Sequence, residues 1–180
     1  MRRPSPALLL LPLLAAGCNQ EPEGFPCPGS PVATFSFSGT LALVSCAAGA
    51  PAAGVNALFP ATVEFAGTIT SFSSGTAAAL CVARPDAEPL TGTGAADAID
   101  VSLETRGALL SGCNALCAVT VHQQVAGTVQ RDPGGAPSGF TGTLVDEQTQ
   151  DPAVAGASCA PCTTPCRATY ALSALPTGTR

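Results

Sequence analysis

The 180-residue chain carries seven arginines, no lysine and twelve carboxylates, for a formal net charge of −5. Without lysine there is no Schiff-base chemistry, no phosphate-loop lysine and no ammonium steering, and the acidic balance repels nucleic acid and anionic lipid headgroups. With seven phenylalanines, one tyrosine and no tryptophan, the core must rely on small aliphatic side chains and whatever cross-links the cysteines supply.

At the N-terminus, Arg2 and Arg3 precede an apolar stretch from Ala7 to Ala16. That is the layout of an export signal, and it is far short of the roughly 20 residues that span a bilayer. Pro4-Ser5-Pro6 after the arginine pair points to general secretory export rather than the twin-arginine route. The segment ends in Leu13-Leu14-Ala15-Ala16-Gly17-Cys18, which resembles the lipobox of bacterial prolipoproteins, with Leu14 one place further back than the class prefers. The resemblance covers residues 1–18. It implies a signal peptide over 1–17, cleavage before Cys18 and a diacylglycerol on the Cys18 thiol, usually with acylation of the new amino group. At about 0.8 kcal/mol per buried methylene, two or more chains anchor stably where one would not. Asn19 follows the cysteine, which by analogy with enteric lipoproteins favours the outer membrane. The implied location is the bacterial cell envelope, lipid-anchored, with the membrane as the first partner.

Residues 18–31 form the lipidated cysteine and a polar, proline-rich tether without hydrophobic period. Extended, its thirteen residues after Cys18 would reach roughly 40 Å, and as a coil roughly 20 Å; Cys27 could shorten it by stapling it to the domain. Residues 32–180 read as one domain, with short β-like runs between glycine and proline clusters. Strands are predicted at Ala33–Ser45, Thr62–Ser71, Ala78–Ala83, Ile99–Thr105, Ala118–Gln130, Phe140–Val145 and Arg167–Leu175. Loops are predicted at Ala47–Gly54, Arg84–Ala98, Arg131–Gly139 and Asp146–Pro165.

One pattern recurs four times: Phe37-Ser-Gly-Thr-Leu41, Phe65-Ala-Gly-Thr-Ile69, Val125-Ala-Gly-Thr-Val129 and Phe140-Thr-Gly-Thr-Leu144. In a strand the first, third and fifth positions share a face, so each copy sets a glycine notch between two apolar side chains, with threonine on the other side. The notch can receive a bulky neighbour from the facing layer or permit a bend. A second reading has the glycines lining a ligand cavity. Seven or more strands with turns between them predict an all-β fold, an antiparallel β-sandwich stapled by disulfides, with a small closed β-barrel as the alternative.

Cys27, Cys46, Cys81, Cys113, Cys117, Cys159, Cys162 and Cys166 are an even set in an exported chain, which predicts disulfides. Roughly a hundred pairings are open, and sequence does not choose among them. The competing reading is metal or redox chemistry at Cys159-Ala-Pro-Cys162 or Cys113-x-x-x-Cys117. The proline-broken Thr163-Thr-Pro-Cys166 continuation starts no helix that would lower a thiol pKa, and the lone histidine, His122, lies some forty residues earlier.

Alternation places Val119, Val121 and Val125 inward and His122 outward with Thr120 and Gln124, without a nucleophile or carboxylate next to it in sequence. Asp97, Asp100 and Glu104 lack calcium-ligand spacing and read as a solvated acidic face. Asp132-Pro-Gly-Gly and Asp146-Glu147 read as turns. The expectation is a non-catalytic envelope lipoprotein, needing no cofactor or metal, that acts as a structural or interaction module on an envelope protein. The alternatives are a small-ligand carrier on a β-barrel and a thiol oxidoreductase using Cys159 and Cys162. An apolar interior cavity would favour the carrier.

Overall fold

A computed structural model of the protein describes residues 27–46, 59–72, 76–83, 88–95, 97–109, 117–151, 153 and 164–177. Eight strands follow one another: β1 (Ser30–Cys46), β2 (Thr62–Ser71), β3 (Ala77–Val82), β4 (Leu90–Ala95), β5 (Ala98–Leu109), β6 (Ala118–Arg131), β7 (Pro137–Gln150) and β8 (Cys166–Pro176). Each pairs antiparallel with the next. β1 also pairs with β8, so Phe37 stands opposite Phe65 on one side and Ala174 on the other. The sheet therefore closes into an up-and-down barrel. The expected sandwich is corrected: a sandwich needs two sheets with free edges, and here the first strand is hydrogen-bonded along both of its edges. The all-β, antiparallel expectation holds, and the closed barrel is the architecture.

Two-residue alternation sends Phe35, Phe37, Ile69, Leu80, Val101, Val125, Phe140, Ala168, Tyr170 and Leu172 into the barrel, all buried. Ser36, Ser38, Thr40, Ala171 and Ser173 face outward and are exposed or partly so. An apolar inside and a hydroxyl-rich outside invert the pattern of a barrel whose outer wall faces lipid. The glycine notches hold neighbouring side chains. A Cβ on Gly127 would stand 2.5 Å from Cζ of Phe140, and one on Gly39 2.6 Å from Cγ2 of Val63. Gly127 and Gly142 also sit opposite each other on β6 and β7, where any side chain on Gly142 would run into the Ala126 carbonyl. The occupants come from adjacent strands of one closed sheet, not from a facing layer.

The connections sort by length between the two ends. At one end the connections 72–76, 96–97 and 132–136 are short; in the last of them Asp132 Oδ1 accepts from Ala136 N at 2.9 Å, and Gly135 takes a positive φ of 84°, as its sequence predicts. At the other end lie the longer connections 47–61, 83–89, 110–117 and 151–165. Cys46 and Cys166 are register partners there and form a disulfide across the β1–β8 seam. Cys27 bonds to Cys81 of β3, which pins the segment before β1 against the outside of the barrel, and the Thr70 hydroxyl donates to the Pro28 carbonyl beside it. Cys117, fully buried, is disulfide-bonded as well. Cys18, Cys113, Cys159 and Cys162 lie outside the described residues.

Candidate functional site

Phe35, Phe37 and Phe140 plug the waist of the barrel, with ring centroids 5.4–6.5 Å apart. Above this plug, at the end with the long connections, a cavity of about 250 Å³ opens. Its wall is built from inward positions of six strands: Val63 and Phe65, Leu80 and Val82, Leu90, Gln123 and Val125, Leu144 and Asp146, and Tyr170. Phe59, 2 % exposed, and Pro60 come in from the β1–β2 connection, which is tied down where Leu41 N donates to the Ala61 carbonyl at 2.9 Å. A second cavity of about 240 Å³ lies at the hairpin end, lined by Val32, Ile69, Ala78, Ile99 and Val129 together with Thr70, Ser71 and Asp97, the last of these ion-paired with Arg131.

Two carboxylates line the mouth cavity, the exposed Glu64 and, at one corner, the half-buried Asp146. Asp146 lies there between two amides: Gln123 Nε2 donates to its Oδ2 at 3.2 Å, and Gln148 Nε2 donates to its Oδ1 at 3.3 Å. Burial pushes the Asp146 carboxyl above the usual aspartate range, and the two amide hydrogen bonds oppose that only in part. Burial, and then the charge of Asp146, push the Tyr170 phenol up as well. Because both amides turn their N–H groups to the carboxylate, their oxygens point elsewhere. Oε1 of Gln148, on a side chain buried to 8 % exposure, has no hydrogen-bond partner among the described residues. The cavity wall thus offers an acceptor, the Asp146 carboxylate, while Gln148, which does not line the cavity, carries a buried amide oxygen whose unmade hydrogen bond is costly.

The sign of the Asp146 shift gives a stability expectation. The folded-state pKa is raised, so the fold favours the neutral form. That contribution is full below the ordinary aspartate pKa and is lost as pH rises through the higher folded value. Asp146→Asn keeps the shape and removes the buried charge. Thermal unfolding at pH 7 should place its Tm at or above that of the parent protein, with the gain vanishing in acid. A variant less stable than the parent at pH 7 would show that the interior favours the carboxylate.

Asp146 and Glu147 are therefore not a turn, which corrects the expectation from sequence. They lie inside β7, which runs to Gln150, because the Phe140, Gly142, Leu144 alternation continues through Asp146 and Gln148 on the inner face. The same parity brings Gln123 inward beside Val121 and Val125. Continuing the two-residue period past the last hydrophobic residue would have found all three. β4 lies within the loop predicted at Arg84–Ala98, because its inward positions after Leu90 are Gly92 and Gly94 and carry no hydrophobic signal.

The other candidates stay apart. His122 is half-buried on the outer face of β6, where the ladder sets Glu104 of β5 and Glu147 of β7 directly opposite it; the carboxylates absent from its sequence neighbourhood come from adjacent strands. Asp97 pairs with Arg131 at 2.7 Å, Glu104 with Arg106 at 2.8 Å, and Asp100 accepts from Gln124 at 2.6 Å. Among the described residues, no group of three or more metal-ligating side chains converges. Asp151, 3 % exposed, accepts from the backbone N–H groups of Gly107 and Ala153, both at 2.9 Å, and so clips the ends of β5 and β7 together. No known protein family, curated protein or solved structure matches the chain.

Proposed function

We propose that this protein is an envelope-anchored carrier that binds a small, largely apolar molecule in the open end of its barrel, with the lipid on Cys18 holding it at the outer membrane. The observation that carries this reading is the mouth cavity of about 250 Å³, walled by Phe65, Leu80, Leu90, Val125 and Leu144, with a polar corner at Asp146 and its amide partners and the exposed Glu64 also on the wall. Small-molecule sites share this composition: an apolar enclosure for affinity and a few fixed polar atoms for orientation. An interaction module would need no such enclosure, so the carrier reading is preferred over it.

The test is saturable binding of N-phenyl-1-naphthylamine, a fluorophore that brightens in apolar surroundings. The mature protein should show one saturating phase. Val82→Trp, which puts an indole at the half-buried rim of the cavity, should abolish it while leaving the unfolding temperature within a few degrees. Absence of binding by the parent protein, or an unchanged isotherm in a folded Val82→Trp variant, would overturn the carrier reading.

A further inference from the structure

We infer that the barrel mouth selects molecules carrying an amine on a compact apolar body and rejects carboxylates, the ammonium group docking on Asp146. The inference rests on the carrier reading of the same cavity and adds the chemistry of the ligand's polar end.

Three observations lead to it. First, the charged group at the corner is an acceptor, and the Asp146 carboxylate has lone pairs beyond the two used by Gln123 and Gln148. An ammonium brings three donors and no acceptor, whereas a carboxylate brings acceptors only. Second, the charge is one-sided. Glu64 is the other ionisable carboxylate on the cavity wall, and no basic side chain lines it among the described residues. Arg106 and Arg131 are engaged with Glu104 and Asp97, and Arg167 is exposed on β8. An anionic headgroup entering here would meet like charge in a low-dielectric wall. Third, the amide orientations follow from the carboxylate itself. Turning either glutamine over would aim a carbonyl oxygen at Asp146, so the corner cannot readily rearrange into a donor set that would hold an anion.

The size of the cavity limits the apolar body. Leu80, Leu90, Val125 and Leu144 line its sides, so a compact apolar body fits better than a long acyl tail. A charge-assisted contact in such a wall is among the stronger hydrogen bonds, and leaving a charged partner unmatched is what it discriminates against.

The experiment is competition against bound N-phenyl-1-naphthylamine by three molecules with the same eight-carbon chain: octylamine, octanol and octanoate. In the mature parent protein octylamine should displace the fluorophore at a concentration at least about tenfold below that of octanoate, with octanol between them. In Asp146→Asn, with the fluorophore's own affinity for that variant measured first, octylamine and octanoate should come within about threefold of each other. Equal displacement by all three in the parent, preference for octanoate, or an undiminished amine preference in Asp146→Asn would each overturn the inference while leaving the carrier reading intact. Failure of the fluorophore to bind the parent protein at all would instead overturn both.

Discussion

Replacing Phe37 by alanine is expected to cost about 3–5 kcal/mol of unfolding free energy, the largest loss for any single side chain in this barrel. Phe37 is 1 % exposed and belongs to the waist plug. Its ring stacks on Phe65 at 4.7 Å, meets Phe140 edge-on at 5.4 Å and lies 5.9 Å from Phe35. It also covers the notch at Gly67, where a Cβ would stand 3.6 Å from its Cε2. Truncation therefore removes the favourable transfer of a large side chain together with three ring contacts. A closed barrel is poorly able to collapse onto the void, because each wall strand is held by ladders on both edges. The residual cavity should persist, and its cost adds to the transfer loss. Urea unfolding of the variant and the parent measures the difference. A loss below about 1.5 kcal/mol would mean that the neighbouring rings close the gap and that the waist is softer than its packing implies.

The same residue shows how much of the fold was legible. Phe37-Ser-Gly-Thr-Leu41 reads as a strand with a clear inner face, and β1, β2, β6 and β8 fall within a few residues of where alternation places them. Closure was not legible, because alternation is identical in a sandwich and a barrel. What separates them is whether Phe37 finds a partner on one edge or on two, and that depends on strand tilt and register around the whole sheet, to which no single segment testifies. β4 escaped for the opposite reason: Gly92 and Gly94 follow Leu90 at its inward register positions, and a strand with glycine at those positions carries no hydrophobic period. The candidate site was half legible. Asp146, Gln123 and Gln148 are polar residues in inward register, and polarity at the end of a hydrophobic run reads as the end of a strand unless parity is carried through it. The Cys27–Cys81 and Cys46–Cys166 pairings could not be read at all, since they follow from which strands meet at the seam and on the outer wall.

Those pairings set the last expectation. Removing the seam disulfide with the double substitution Cys46→Ser/Cys166→Ser should lower stability by roughly 3–5 kcal/mol, and removing Cys27–Cys81 by Cys27→Ser/Cys81→Ser should cost less. The two bridges close segments of 120 and 54 residues, and loop entropy alone makes the longer one worth only about 0.7 kcal/mol more. Position adds to that difference. Cys46–Cys166 joins the first strand to the last, and the β1–β8 ladder is the contact with the greatest sequence separation in the barrel, so without the bridge an unfolding chain has most freedom to open there. Cys27–Cys81 fastens a short segment onto strands that β1 and β4 already hold in place. Double substitution avoids leaving a lone thiol to exchange with the remaining disulfides. Urea midpoints of the two variants beside the parent give the ranking. If the seam variant lost less than about 1 kcal/mol, or less than the Cys27–Cys81 variant, the barrel would be closed by its hydrogen-bond ladder and interior packing, with the seam bridge contributing little.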